Sequence, residues 1–189
     1  LFGKKAKMSV GLDLSQNMLN IARANVSKAG LDKVELRHGD IFSTRLPAAS
    51  ADLVLSSGGV SVGNADFIKL VLAELGQIDF WRIQMRPGRP LAFGKLGQTP
   101  FFGLPGNPVA AMICVLQFVE PAIARLQGKR WQPLRLSALA DEKMKSRPGR
   151  TEFLRGIFHQ DRNGQLRVRT TGPQGSGILS SMADANCLI

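Results

Sequence analysis

Pro105-Gly106-Asn107-Pro108 is the stretch that most limits how this chain can fold. Two prolines bracket a glycine and an asparagine, and each proline fixes φ and lacks an N–H, so no regular element runs through the four residues. Before them Pro100 to Leu104 is short and apolar; after them Val109 to Leu126 is long, apolar and closed by Gly128, which predicts a strand, a sharp break and a buried helix.

The same punctuation recurs upstream. Met8 to Leu12 ends at Asp13, and Met18, Leu19, Ala22 and Val26 then return at helical spacing, with Ser15 as N-cap and Gly30 as the stop. Val34 to Leu36 and Ala51 to Leu55 are further strand candidates, and Asp66 to Leu75 is helical up to Gly76. Asp79 to Met85 is strand-like until Pro87-Gly88-Arg89-Pro90, and Leu91 to Lys95 and Pro100 to Leu104 flank a turn at Gly97. Strands alternating with helices in this way predict an α/β chain with a parallel, Rossmann-like layer. From residue 131 the pattern changes to a small β unit: Arg135 to Ala138, Glu152 to Phe158 and Gln165 to Thr170, with a turn at Asp161-Arg162-Asn163-Gly164 between the last two.

Charge narrows the partners. Lys and Arg number 25 against 14 Asp and Glu, a formal +11, which favours nucleic acid, a phosphorylated cofactor, an oxyanion or an acidic membrane. Aromatics are 6% with no Tyr, too few for the stacking platforms of single-strand binders, so nucleic acid is not the expected partner. The apolar run Val109 to Val119 is interrupted by Gln117 and too short for a bilayer, so no membrane association is expected. Cys114 and Cys187 lack a Cys-x-x-Cys spacing and read as structural thiols of a reducing, cytoplasmic compartment. The start at Leu1 has neither an initiating Met nor an apolar signal core and reads as a chain joined in progress.

Two constellations carry chemistry. Ser57-Gly58-Gly59-Val60-Ser61-Val62-Gly63 follows a strand and precedes a helix, where glycines bring backbone N–H groups close to an anion; a plain connecting turn is the alternative. Asp66, three residues on, suits a Mg²⁺ held between carboxylate and phosphate oxygens, or a first-turn residue favoured by the helix dipole. Lys69, Arg82, Arg86, Arg89 and Lys95 then gather, and Arg82 and Arg86, four apart on a strand-like stretch, are expected to face one side. That is an oxyanion pocket or a solvated basic face.

Residues 1–55, through Val10-Gly11-Leu12-Asp13-Leu14-Ser15-Gln16-Asn17-Met18-Leu19, Arg37-His38-Gly39-Asp40-Ile41 and Ala51-Asp52-Leu53-Val54, resemble the middle of a class I S-adenosylmethionine-dependent methyltransferase. The resemblance implies that Asp13 holds a ribose, Met18 flanks adenine and Asp40 meets its amino group. That family's glycine-rich first turn is missing.

From Ser57 onward the ordered segments SGGVSVGNADF, ELGQIDFWRIQMRPGRPLAFGKL, FFGLPGNPVAA, RPGRTEFLRG and TGPQGSGILSS resemble the molybdopterin molybdenumtransferase family, the MoeA and gephyrin E-domain type. The resemblance implies insertion of molybdate into adenylylated molybdopterin with Mg²⁺, by a homodimer in the cytoplasm. Ser57, Gly58, Gly59, Ser61 and Gly63 match its phosphate- and pterin-binding loop, and Asp66 its catalytic, metal-handling acid. Arg82 and Arg86 match two catalytic basic positions often held by lysine. Pro105, Gly106, Asn107 and Pro108 match the pterin-contacting loop, and Arg155 and Ser176 its functional arginine and serine. Glu152 lies in a matching motif with a structural role as its alternative, and Asn64 stands where an acid is usual. His38 and His159 are isolated, and no Cys or His nucleophile is required.

The expected fold class is therefore α/β: a three-layer parallel-sheet molybdopterin-binding (Rossmann-like) domain followed by a small, truncated β unit. The expected organisation is a methyltransferase-like β-α-β segment over 1–55, a molybdopterin-binding segment over 56–130 completing the same sheet, and a truncated C-terminal β domain over 131–189. The family's large N-terminal domains are expected to be missing, so a non-catalytic chimeric scaffold and a residual methyltransferase stand as the alternatives to a molybdenumtransferase.

Overall fold

The computed structural model describes residues 6–40, 44–58 and 76–189. Contacts divide the chain into two compact units, Leu1–Ser50 and Ala51–Ile189.

In the first unit β1 (Ser9–Asp13) leads into α1 (Gln16–Lys28) and then β2 (Val34–His38). The two strands pair in parallel, Ser9 opposite Val34 through Asp13 opposite His38, which the intervening helix permits. Ser15 caps α1 by accepting from the Met18 N–H at 3.3 Å, and the chain leaves the helix through Gly30 at φ +61°. The helix buries Leu19, while Met18 and Ile21 are more than half exposed.

The second unit holds an α/β layer and a β unit. The layer is a four-stranded sheet in the order β3 (Val54–Ser57), β7 (Thr99–Leu104), β6 (Pro90–Leu96), β4 (Gly76–Arg82). β3 and β7 are parallel; β6 pairs antiparallel with both β7 and β4. The α/β class holds, and within it the sheet is mixed, because β6 and β7 are joined by a two-residue turn through Gly97 (φ +59°), which joins only antiparallel strands. Phe101 to Leu104 are all buried, as suits a strand flanked on both sides.

After β7 the Pro-Gly-Asn-Pro break gives α2 (Pro108–Leu126). Asn107 is its N-cap, its side chain accepting from the Ala110 N–H at 3.4 Å, and Pro108 occupies the first turn, where a missing N–H costs nothing. The middle of α2, Val115–Val119, is π-helical. Val109, Ala110, Ile113, Cys114, Val115 and Val119 pack in the core with Leu91, Ala92, Phe101, Phe102 and Leu104. At 19 residues α2 is longer than the apolar run Val109 to Val119 and, by length and composition alone, meets the measure of a bilayer span that the run does not. Its buried stripe and the buried Glu120 belong to a core helix.

The β unit is a second sheet in the order β12 (Cys187–Leu188), β10 (Arg155–Gln160), β11 (Leu166–Thr170), β8 (Leu139–Ala140). β10 and β11 form a hairpin whose turn is tied by Asp161: its carboxylate accepts from the N–H groups of Asn163 and Gln165, both at 2.9 Å. Two strand expectations shift. Arg135 to Ala138 is not in a strand, which begins at Leu139, and the run from Glu152 to Phe158 splits into β9 (Thr151–Glu152) and β10. The split has a backbone cause: Phe153 N–H donates to Arg86 O while Leu154 N–H donates to Ile189 O, so neighbouring residues join different sheets. β9 pairs in parallel with β5 (Met85–Arg86) and so stitches the β unit to the α/β layer. The short α3 (Ser180–Ala183) precedes β12.

Candidate anion-binding cleft

A cleft of about 650 Å³ opens within the second unit. One wall is the turn Met85 to Pro90 and the Pro105 to Asn107 loop at the start of α2; the other comes from the segments 142–145 and 150–155 and the loop carrying Gln174 and Ser176. The turn is tight: Gly88 has φ +102°, and a Cβ there would lie 2.8 Å from the Cys114 sulfur, so only glycine fits between the turn and α2. Arg86, Arg89, Lys143, Lys145, Arg150 and Arg155 line the cleft against two carboxylates, Glu142 and Glu152. Six cations facing two anions in a concave, partly desolvated site make a focused positive field.

The carboxylates are engaged. Glu142 accepts from both the N–H and the hydroxyl of Thr170 at 2.6 Å, which holds its carboxyl below the usual range. Glu152 accepts from the Arg150 Nε at 2.7 Å, pairs with the same guanidinium through Nη2, and stands 3.9 Å from Nη1 of Arg86.

Arg155 is 1% exposed. Its Nε donates to Ser181 Oγ at 3.0 Å and an Nη to Gly175 O at 3.1 Å, while Gln174 clamps its main chain, accepting from the N–H at 2.8 Å and donating to the carbonyl at 3.2 Å. Burial first, and the nearby Arg86 second, lower its pKa from the ordinary arginine value. Arg155 therefore organises the loop that presents Ser176. Asn107 Nδ2 donates to Ser176 Oγ at 3.3 Å, so the helix cap and the β-unit loop meet across the cleft.

Of the residues singled out in the sequence, Arg86, Arg89, Pro105, Gly106, Asn107, Glu152, Arg155 and Ser176 line this cleft. Ser57 ends β3 and Gly58 follows it: Gly58 N–H donates to Leu104 O at 3.1 Å, and a Cβ on Gly106 would lie 3.5 Å from the Gly58 Cα, so the two glycines approach each other. Pro108 is exposed in the first turn of α2. Gly59, Ser61, Gly63 and Asp66 lie outside the described residues. Arg82 corrects an expectation, since it ends β4 opposite Pro90 and is not among the cleft residues. Ile83 N–H donates to Arg89 O and Met85 N–H back to Ile83 O, so the chain folds between Arg82 and Arg86 and the two-residue alternation of a single strand does not carry from one to the other.

Arg150, Lys143, Lys145, Glu142 and Gln174 were not singled out. Arg150 and Gln174 lie inside segments that carried the family resemblance; the other three lie in Glu142-Lys143-Met144-Lys145, which reads as an ordinary charged surface run until β11 folds beside it. Among the described residues no group of three or more His, Cys, Asp or Glu is arranged to hold a metal. Asp13 accepts from Ser15 N–H at 2.7 Å, a turn-capping bond that accounts for a carboxylate at this position without a ribose.

The description "probable molybdopterin binding domain" fits residues 32–125, and "MoeA C-terminal region (domain IV)" fits residues 137–189. The chain belongs to the MoeA family. It is 49% identical over 143 residues to a molybdopterin molybdenumtransferase of Haemophilus influenzae, a match covering 75% of this chain and 35% of the relative. A second molybdopterin molybdenumtransferase, from Nostoc, is 36% identical over 146 residues, covering 74% of this chain and 34% of the relative. The chain thus spans about a third of the length of these relatives. In fold it is similar to a molybdenum cofactor biosynthesis protein from Pyrococcus furiosus, with a TM-score of 0.58 at 24% identity over 97% of this chain and 61% of that one. The molybdopterin-binding match reaches back to residue 32, so β2 and the residues up to 55, read above as methyltransferase-like, fall inside it and that reading finds no support there.

Proposed function

We propose that this chain takes part in molybdenum cofactor biosynthesis, inserting molybdate into adenylylated molybdopterin. The observation that carries the reading is the cationic cleft at the junction of the α/β layer and the β unit, lined by Arg86, Pro105, Gly106, Asn107, Arg155 and Ser176 from the matching family segments. The negative charge of the substrates lies on molybdate and on the phosphates of adenylylated molybdopterin, which suits a cationic site. Arg86 supplies a planar pair of donors suited to molybdate or phosphate oxygens, Asn107 and Ser176 supply neutral polar atoms for a pterin edge, and Arg155 holds the loop that carries Ser176. Catalysis in such a site is electrostatic: positive groups fixed in advance stabilise charge that shifts between the adenylyl phosphate and the incoming oxyanion.

The finer assignments rest on the family. Ser57, Gly58, Gly59, Ser61, Gly63 and Pro108 complete the binding loops, and Asp66 holds Mg²⁺, which would supply charge neutralisation at the scissile linkage. Glu142 and Glu152 are already engaged by Thr170 and by arginines, and the assignment of the metal to Asp66 rests on the family resemblance alone. The working form is a homodimer in the cytoplasm, with the division at residues 130 and 131 marking the molybdopterin-binding segment from the C-terminal β domain.

Isothermal titration of the chain with adenylylated molybdopterin tests the reading, with and without Mg²⁺. Binding is expected, weakened by Arg86→Ala by on the order of 10- to 100-fold, the range for one lost hydrogen bond to a charged group. Asp66→Ala is expected to abolish the Mg²⁺ dependence. No binding by the unaltered chain, or equal binding by Arg86→Ala, rejects the proposal.

A further inference from the structure

We infer that Glu152 is a positioning residue of the cleft, fixing Arg150 in place and setting the direction in which Arg86 meets an anion. The inference rests on the reading of the cleft as an anion site and adds to it a residue whose sign opposes the ligand. By Coulomb's law alone a carboxylate among six cations weakens anion binding. Its placement argues for another task. The Glu152 side chain is 9% exposed, whereas that of Arg86 is 59% exposed and that of Arg150 27%.

The two guanidiniums are held unequally by one oxygen. Arg150 donates to Oε1 through Nε at 2.7 Å and faces it again through Nη2, so its charge is largely spent on Glu152. Arg86 faces the same oxygen at 3.9 Å, within ion-pair range and beyond hydrogen-bond distance, so the carboxylate attracts its guanidinium without using up its N–H donors. The backbone makes this arrangement reproducible. Arg86 and Glu152 are directly opposed in the β5–β9 pairing, with Phe153 N–H donating to Arg86 O and Thr151 N–H to Gln84 O, both at 2.8 Å. With both main chains fixed, the rotamer of the long Arg86 side chain is what Glu152 decides. Without that carboxylate Arg86, Arg150 and Arg155 repel one another and the exposed Arg86 swings toward water.

Charge removal and misplacement predict opposite signs, which makes the test decisive. Glu152→Gln keeps the side-chain shape and removes the charge; Glu152→Asp keeps the charge on a shorter stem. Each, with Arg86→Ala and the double variant Arg86→Ala/Glu152→Gln, is titrated calorimetrically with inorganic pyrophosphate and with adenylylated molybdopterin, folding being checked by urea denaturation. The expected result is a Kd at least fivefold weaker for Glu152→Gln, partial recovery in Glu152→Asp, and no further loss when Glu152→Gln is added to Arg86→Ala. A general loss of structure would instead weaken binding on both backgrounds and overturn the inference, as would equal or tighter binding by Glu152→Gln. If the unaltered chain binds pyrophosphate and not adenylylated molybdopterin, the proposed function falls while the role of Glu152 is still decided by the pyrophosphate series; binding of neither probe overturns both.

Discussion

Cys114 shows how a residue far from any chemistry shapes the cleft. Its sulfur is fully buried in α2 beneath the Gly88 turn, donating to the Gly88 carbonyl at 3.6 Å, and burial pushes its thiol pKa up to about 12 from an ordinary value of 9.0. The sign of the pH effect follows. The folded chain keeps the proton where the unfolded chain has lost it, so the stabilisation is intact below pH 9 and is lost between about pH 9 and 12. Unfolding midpoints in urea are expected to fall over that window, and Cys114→Ala to flatten the fall while lowering stability at neutral pH. Native chain is also expected to leave Cys114 unlabelled by a thiol reagent until it unfolds. Arg155 makes the complementary point: the sequence marks it as a functional arginine, and the fold shows its guanidinium donating to Ser181 and Gly175, which makes the Ser176 loop its immediate product.

At the scale of elements, α2 and β9 do most to build the site. α2 starts where the Pro-Gly-Asn-Pro break requires, and Asn107 serves it twice, its Oδ1 accepting from Ala110 N–H and its Nδ2 donating to Ser176 Oγ. Asn107→Ala removes both bonds. A lost N-cap costs about 1 kcal/mol, within a range of 0.5–2, and the broken contact to Ser176 is expected to loosen the far wall of the cleft. Urea denaturation checks the first effect, and faster hydrogen exchange at residues 174–177 checks the second. Ser176→Ala, which keeps the cap and removes the partner across the cleft, should leave stability near that of the unaltered chain while protection at that loop falls. β9 was legible only as part of a longer strand, because Thr151-Glu152 and Arg155 to Gln160 are one run in the sequence and two strands in space. Nothing in the residues Phe153-Leu154 announces that their N–H groups point to different sheets.

For the whole molecule, a formal charge of +11 becomes informative once its location is known. Part of it converges on one cleft, where an anion would be held by several groups at once, and the rest is spread over exposed side chains such as Arg130 and Arg135. Binding of pyrophosphate or adenylylated molybdopterin is therefore expected to weaken steadily as NaCl rises from 50 to 500 mM, since the Debye length falls from above about 10 Å toward roughly 4 Å across that range. A salt-independent Kd in calorimetry would contradict an electrostatic site. The α/β class, the hairpin at Gly97, the helix after Pro108 and the family motifs were all fixed by local chemistry: proline and glycine punctuation, cap residues and apolar periodicity act over a few neighbours and can be read in order. The tertiary structure alone decided that Arg86 and Glu152, 66 positions apart, stand opposite each other, that Arg82 is left out, and that Glu142, Lys143 and Lys145 join the cleft. Those outcomes depend on strand pairing between distant segments, where a one-residue change of register or a turn of two residues redirects every side chain, and no local preference specifies it.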